Sequence, residues 1–427
     1  MKLITNSLWM ILEKIVLVLS SFIITAYVAR YLGPSEFGYL SYVISFLSIG
    51  FVISNFGCNT LIFQSAAKSL FLAKNFIRVS QLIRIIILTF FLGFAVIYLF
   101  SNKSIGTQGD WLVYGLAISL FFQSMDCYSF YFDATLKSRL NFLANTASVI
   151  LALLVRTGLV FFSLPLAFFS LPYIINYAVS FFIKRFSYSK EEKVKSINLN
   201  TLFPAVLKRG LPIFLSEISV LIYTRMTVLF VEYFKSATAV GGFSAVYTIT
   251  GTWIVFPITI VNAMFTIIFK TKDNRNKNEL SQGVICICLL GALTISILTY
   301  FFSENFMYLV YGAEYAQYHE LLSIMMFGSV FSLIGYIGNR IIIAYKAYSY
   351  LARKMIAVAI ISVLLNITLI PSYGLQGAAY SMLLTEFFSA TIANYFYSKG
   401  LIYKIHVNAI FKPVYSVSKI LRVYINE

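Results

Sequence analysis

Twelve apolar runs, each near the 20 residues that cross a bilayer core about 30 Å thick, follow one another along this chain. They occupy 7–29, 37–59, 82–100, 111–132, 140–162, 165–183, 211–234, 240–269, 281–302, 319–345, 355–370 and 374–397. The connections between them alternate in charge. Of the 33 Lys and Arg residues, 25 lie in the amino terminus, the even-numbered connections and the C-terminal tail. Odd-numbered connections hold three (Arg30, Lys103, Lys235), and the runs themselves hold five: Lys14, Arg84, Arg156, Arg225 and Arg340. Basic connections resist translocation and stay cytoplasmic. The pattern therefore predicts an all-α polytopic inner-membrane protein with both termini in the cytoplasm.

Composition agrees. A hydrophobic content of 59%, with 41 Phe and 30 Tyr, excludes a soluble domain of 427 residues. The net charge of +17 would suggest nucleic acid in a soluble protein. Here topology and contact of short basic loops with anionic membrane lipid account for it, so no nucleic-acid partner is expected. The first run is too long for a signal peptide and no small-residue cleavage site follows it, so it is expected to remain as a helix. Cys58, Cys127, Cys286 and Cys288 all fall inside runs, and the chain adds only two histidines, His319 and His406. That set suits neither a tetrahedral metal site nor structural disulfides. The sequence has no Gly-Lys-Ser/Thr stretch to cradle a nucleotide phosphate. No cofactor and no metal are expected.

The connection 184–210 is the longest basic one and carries seven positive charges, with six runs before it and six after. The reading divides the chain into residues 1–195, a cytoplasmic linker at 196–209, and residues 210–427 with a basic tail. A shift of 204 positions lays Glu13 on Glu217, Gly38 on Gly242 and Tyr39 on Phe243, and a shift of 206 lays Leu164-Pro165 on Ile370-Pro371. Six runs per half start both halves on the same side. The expectation is 12 transmembrane helices in two pseudo-symmetric six-helix bundles, parallel repeats with substrate held between them.

Several local motifs resemble one family. Ala29-Arg30-Tyr31-Leu32-Gly33-Pro34-Ser35-Glu36-Phe37-Gly38 resembles the Leu-Gly-Pro-x-x-Phe-Gly signature of polysaccharide repeat-unit flippases, the O-antigen and exopolysaccharide transporters of the multidrug/oligosaccharidyl-lipid/polysaccharide exporter superfamily. Gly210-Leu211-Pro212 with Ile222-Tyr223-Thr224-Arg225 looks like the opening of that family's second half, and Tyr311-Gly312-Ala313-Glu314-Tyr315 is similar to its segment before helix ten. Asn366-Ile367-Thr368-Leu369-Ile370-Pro371-Ser372-Tyr373-Gly374-Leu375-Gln376-Gly377-Ala378-Ala379 resembles its turn between the last two helices. Thr227 stands where members often carry an acidic residue after Arg225, so the resemblance brings no ion-coupling pair into helix seven. The glycines and prolines also have a structural use, as tight turns and helix stops.

Charges inside the runs are the candidate site. An ionisable group at bilayer centre costs roughly 2.5–3.5 kcal/mol on insertion scales, so each needs a partner, a wet cavity or a route to the interface. Arg84 and Arg340 lie about five residues from a cytoplasmic helix end and are expected to snorkel to the headgroups; Asp133, at a helix end, is expected to be solvated. Arg156 and Arg225 lie on the order of 21 Å deep at 1.5 Å per residue. Glu13, Asp126, Glu217 and Glu386 are candidates for ion coupling or for interhelical pairing. Arg156, Arg225 and Lys14 are candidates for substrate binding, because guanidinium grips phosphate through two parallel hydrogen bonds without losing its charge. Aromatic clusters such as Phe121-Phe122 are expected to face lipid or the interfacial belts.

The resemblance implies a flippase that moves an undecaprenyl-pyrophosphate-linked oligosaccharide from the cytoplasmic to the periplasmic leaflet. A repeat-unit polymerase and a chain-length regulator are the protein partners such a system would offer. The alternatives are a cation-coupled drug exporter of the same superfamily and a membrane-embedded glycan polymerase. A polymerase needs a large polar periplasmic loop, whereas the longest odd-numbered connection here is about 303–318. The topology is directly testable. Reporter fusions within 184–210 and after Lys399 are both expected to report cytoplasm, and a periplasmic signal from either would undo the orientation.

Overall fold

The computed structural model describes residues 2–66, 68–101, 107–191, 199–271 and 273–411. Part of the basic connection, with Lys193 and Lys195, and the tail beyond 411 lie outside the described residues. Among the described residues every regular element is a helix, and nine helical segments are long and apolar enough to cross a membrane. Helices suit hydrocarbon because each satisfies its own backbone N–H and C=O groups. Large apolar side chains such as Phe90, Phe161, Phe301 and Leu309 stand exposed on these helices, which in a bilayer is the lipid-facing side.

The chain forms two compact units, Met1–Leu32 with Tyr39–Leu221 and Gly33–Gly38 with Ile222–Glu427. The first is built from α1 (Lys2–Asn55), α2 (Cys58–Ala66), α3 (Leu70–Ser101), α4 (Thr107–Met125), α5 (Tyr128–Ala134), α6 (Ser138–Phe161), α7 (Leu171–Ser189) and the first part of α8 (Leu199–Phe234). The second takes the rest of α8, then α9 (Ala237–Lys270), α10 (Asn274–Tyr311), α11 (Ala313–Ala316), α12 (His319–Ala344), α13 (Tyr348–Ala390), α14 (Ile392–Tyr395) and α15 (Leu401–Phe411).

Several boundaries differ from the sequence reading. Much of the 184–210 connection is helical, since α7 runs on to Ser189 and α8 already starts at Leu199. The fourth apolar run is interrupted at Asp126-Cys127, which separates α4 from α5. Residues 401–411, read as tail, form α15. Its Ile402, Ile405 and Ala409 share one buried core with Leu280 and Val284 of α10 and Phe265 and Ile268 of α9. His406 also faces inward, its Nδ1 3.2 Å from the Tyr395 hydroxyl. Burial and the nearby Lys354 ammonium push its pKa down to about 4, so α15 docks with a neutral imidazole.

Two long helices are each broken at a glycine. In α1, Gly33 takes φ 69° just before Pro34, a left-handed conformation that costs glycine little, and the proline removes a helix donor. The Gly-Pro-x-x-x-Gly spacing has a second use. A Cβ at Gly38 would lie 1.8 Å from the Ala237 carbonyl oxygen, and one at Gly241 would lie 1.9 Å from the Pro34 carbonyl oxygen. The segment 33–38 therefore meets the start of α9 backbone against backbone. In α13, Gly374 at φ 62° and Pro371 break the helix into two legs.

An identical turn recurs 210 positions along the sequence. Leu136 and Lys346 take φ 59° and 57°. Around them the N–H groups of Thr135, Leu136 and Lys137 bond to the carbonyls of Tyr131, Asp133 and Phe132. Those of Tyr345, Lys346 and Ala347 bond likewise to Ile341, Ile343 and Ile342. The same C-terminal cap thus joins α5 to α6 in one unit and α12 to α13 in the other.

Candidate functional site

In the first unit the polar chemistry centres on a buried lysine. Lys184, on α7, is 2% exposed. Its Nζ donates to Asp126 Oδ2 at 2.7 Å, Ser129 Oγ at 2.8 Å and Asn145 Oδ1 at 2.8 Å. The amide nitrogen of Asn145 in turn donates to Glu13 Oε1, and Ser180 Oγ donates to Asn145 Oδ1 at 2.6 Å. Glu13 and Asp126 thus meet through one amide and one ammonium that tie α1, α5, α6 and α7 together. The sequence reading counted Lys184 among the loop charges. It is buried because α7 continues beyond it. The break between α4 and α5 turns the Asp126 carboxylate toward it, and the second oxygen, Oδ1, is buried with no hydrogen-bond partner. Asp133, expected to be solvated, accepts instead from Ser138 Oγ at 2.7 Å and Asn141 Nδ2 at 2.8 Å.

Arg84 corrects another expectation. It does not snorkel: at 1% exposure it sits inside the first unit. Its guanidinium donates to the Ser124 carbonyl, to Asn55 Oδ1 at 2.9 Å and to Asn59 Oδ1 at 2.5 Å. Asn55 bridges it to an acid, its Nδ2 donating to Glu217 Oε2 at 2.8 Å. Five donors in a rigid fork let one arginine hold α1, α2 and α4 at once.

At the end of α7 a second acid is tied down. Glu191 accepts from Lys137 Nζ and from Tyr131 Oη at 2.5 Å, with Lys74 Nζ 3.5 Å away. Burial alone would raise its pKa, but these donors outweigh burial and hold the carboxyl below its ordinary value.

The second unit repeats the lysine motif with its partners exchanged. Lys354, 4% exposed, lies on the first leg of α13. Its Nζ donates to Asn339 Oδ1 at 2.6 Å and Asn394 Oδ1 at 2.8 Å. Ser129, Asn145 and Lys184 lie 210 positions before Asn339, Met355 and Asn394. The lysine therefore comes from the sixth helical run in one unit and the eleventh in the other, while an amide supplies the opposite side. Arg340 also fails to snorkel, since Nη2 donates to Asn262 Oδ1 at 2.5 Å and to the Tyr336 hydroxyl at 2.6 Å.

Beside these lies a cavity of about 130 Å³ lined by Tyr223, Tyr247, Thr250, Ser329, Ser332 and Glu386, among others. Glu386 is 9% exposed and accepts a hydrogen bond from Ser332. Arg225 stacks 6.0 Å from the Tyr247 ring centroid, so Tyr247 borders both charges. In the first unit Arg156 lies half-buried, 4.7 Å from the ring centroid of Tyr173. Lys14 is exposed. The structure brings Glu13 to Asp126 and Glu217 to Arg84. The sequence missed Lys184 and Lys354, because each borders an apolar run on one side only and an arginine, Arg185 or Arg353, on the other.

Buried polar nodes between long apolar helices are those of a multi-pass membrane protein. Residues 3–272 match the model of the family described as polysaccharide biosynthesis protein, and the chain belongs to that family. Residues 212–371 also match the MatE family. The chain is 26% identical over 132 residues to the capsular polysaccharide biosynthesis protein CapF of Staphylococcus aureus, covering 31% of this chain and 33% of CapF. It is 22% identical over 174 residues to the probable low-salt glycan biosynthesis flippase Agl15 of Haloferax volcanii, covering 40% and 37%. It thus spans about a third of the length of these relatives. The fold is that of the lipid II flippase MurJ in its inward closed conformation, with TM-score 0.74, 16% identity and coverage of 99% of this chain and 93% of that one.

The lysine node predicts a specific rescue. Lys184→Met strands a buried carboxylate, and loss of one partner of a buried pair costs about 3–5 kcal/mol. Protein in the membrane and its thermal midpoint in detergent are expected to fall. Adding Asp126→Asn should restore much of both, and failure of the double variant to recover would show that the charges do not depend on each other.

Proposed function

We propose that this protein flips an undecaprenyl-pyrophosphate-linked oligosaccharide, an O-antigen or other polysaccharide repeat unit, from the cytoplasmic to the periplasmic leaflet of a bacterial inner membrane. The observation that carries the reading is the family match across residues 3–272. The names of CapF and Agl15 point the same way, toward glycan export. In this reading the chain has 12 transmembrane helices in two six-helix bundles joined through the basic linker, with both termini in the cytoplasm. The lysine–amide nodes placed 210 positions apart support the repeat.

The chemistry asked of such a protein is to carry a polyanionic pyrophosphate and a polar glycan past hydrocarbon while the lipid tail stays in the bilayer. Arg156 and Arg225, with Lys14, are the groups we assign to the pyrophosphate. Each arginine lies against a tyrosine face. A guanidinium stacked by its face keeps its N–H edge for bidentate hydrogen bonds to phosphate oxygens. A polymerase and a chain-length regulator would then act on the exported unit. The MatE match over residues 212–371 favours one second reading, a cation-coupled exporter of small molecules.

Deletion in the native host separates the two. A flippase deletion is expected to abolish long-chain surface glycan and to leave lipid-linked single units on the cytoplasmic side. Intact glycan with new sensitivity to toxic cations would favour the exporter. Arg156→Gln with Arg225→Gln should abolish surface glycan with membrane abundance unchanged, and Lys at both positions should restore part of it. Full glycan display from the double Gln variant would remove the arginines from the substrate path.

A further inference from the structure

The last helix of the described chain, α15, meets three surroundings at once. At about 100° per residue, Ile402, Ile405, His406 and Ala409 fall on one side, and all four are buried. Ile402, Ile405 and Ala409 belong to the core that also takes in α9, α10 and α12. Ile410, Tyr403, Val407 and Phe411 follow around the helix over about 100° of its surface. Three of them stand well out of the protein, with 51% exposure for Tyr403, 58% for Ile410 and 78% for Phe411. Lys404 and Asn408 come next, with Lys404 exposed. A surface helix of a soluble protein has a packed face and a polar face. This one has a third face between them, apolar and open.

The position of that face says what covers it. A few residues separate α15 from the last apolar run, where Ser398, Lys399 and Gly400 take φ 45°, 55° and 80° and break the helical path. The Tyr403 ring then meets the Tyr395 ring of α14 edge to face, with centroids 5.2 Å apart. Phe396, next in sequence to Tyr395, is 78% exposed. The open face of α15 thus continues from the end of a segment long and apolar enough to span, the height at which tyrosine favours the boundary between lipid and water. Charge complements it. From Lys399 to Asn426 the sequence holds Lys399, Lys404, Lys412, Lys419 and Arg422 and no acid. An apolar protein partner needs no such string of cations, whereas an anionic headgroup layer attracts each of them.

We propose that α15 lies in the surface of the bilayer, with its Ile410, Tyr403 and Phe411 face among the acyl chains and its lysines on anionic phospholipid headgroups. Because its opposite face is built into the core of the second unit, the lipid it rests on then sets how firmly α15 is held there. Which side of the membrane this is follows the topology proposed above; the lipid contact stands without it.

The test uses the full chain in nanodiscs of phosphatidylcholine, alone or mixed with an equal part of phosphatidylglycerol. A thiol-reactive bimane is placed at Tyr403→Cys, Ile410→Cys or Asn408→Cys, one at a time. The natural cysteines are buried, so the unaltered chain supplies the labelling background. In the mixed discs, bimane at Tyr403→Cys and Ile410→Cys is expected to be quenched by nitroxide-bearing lipid and shielded from aqueous iodide, with the reverse at Asn408→Cys. Iodide reaching all three positions alike would put the face in water, open to a protein partner, and would overturn the proposal.

A second arm needs no cysteine. Amide hydrogen exchange of residues 401–411 in the unaltered chain should slow when phosphatidylglycerol is present, since each lysine at an anionic surface strengthens binding roughly fivefold. Lys399→Gln with Lys404→Gln should remove most of that difference and leave exchange in phosphatidylcholine unchanged. Equal exchange of the unaltered chain in the two lipids would also overturn the proposal. Neither arm involves glycan, so the flippase reading stands or falls separately.

Discussion

A charge cannot sit bare inside a bilayer, and the internal organisation of this protein follows from how each one is enclosed. Lys184, Arg84 and Lys354 are each surrounded by amide, hydroxyl or carboxylate oxygens drawn from several helices. In hydrocarbon, apolar side chains give helices little reason to prefer one another over lipid. Hydrogen bonds and close packing must choose partners and register. The lysine nodes supply the first and the glycine contacts of residues 33–38 on α9 supply the second. Breaking a lysine node costs more than the contact itself, because a polar group is left without water or partner.

Much of this architecture can be read in the sequence. The apolar runs follow from the length of the bilayer core, and the alternation of basic connections follows from the cost of translocating them. The glycine and proline motifs marked the breaks at Gly33 and Gly374. Other features left no comparable mark. Depth was judged from the ends of apolar runs, yet α7 extends past Lys184, which put a buried lysine in the loop tally. Arg84 met the same error from the other side, since a route to the headgroups was assumed where Asn55 and Asn59 offered a nearer solution. The interruption at Asp126-Cys127 was hidden because apolar residues continue on both sides. Comparison at shifts of 204 and 206 missed the 210-position correspondence, which lies in hydrogen bonds and cap geometry more than in residue identity.

The two lysine motifs also differ in a way that bears on mechanism. In the first unit the ammonium has a carboxylate in direct contact, so its charge is compensated on the spot. In the second the lysine binds two amides, and the acid that balances it at longer range is Glu386, beside an open cavity. A closed pair gives a rigid joint.

Movement of a lipid-linked glycan between leaflets, the function proposed for this chain, is tested most directly by reconstitution. The purified protein is placed in liposomes carrying undecaprenyl-pyrophosphate-linked oligosaccharide in both leaflets, and a membrane-impermeant glycan-oxidising enzyme is added outside. Protein-free liposomes are expected to lose only the outer-leaflet pool. With the protein present the inner pool should also become oxidised, at a rate that rises with protein per vesicle. An inner pool that stays protected in sealed vesicles containing folded protein, with an ion gradient of either sign imposed, would contradict the account.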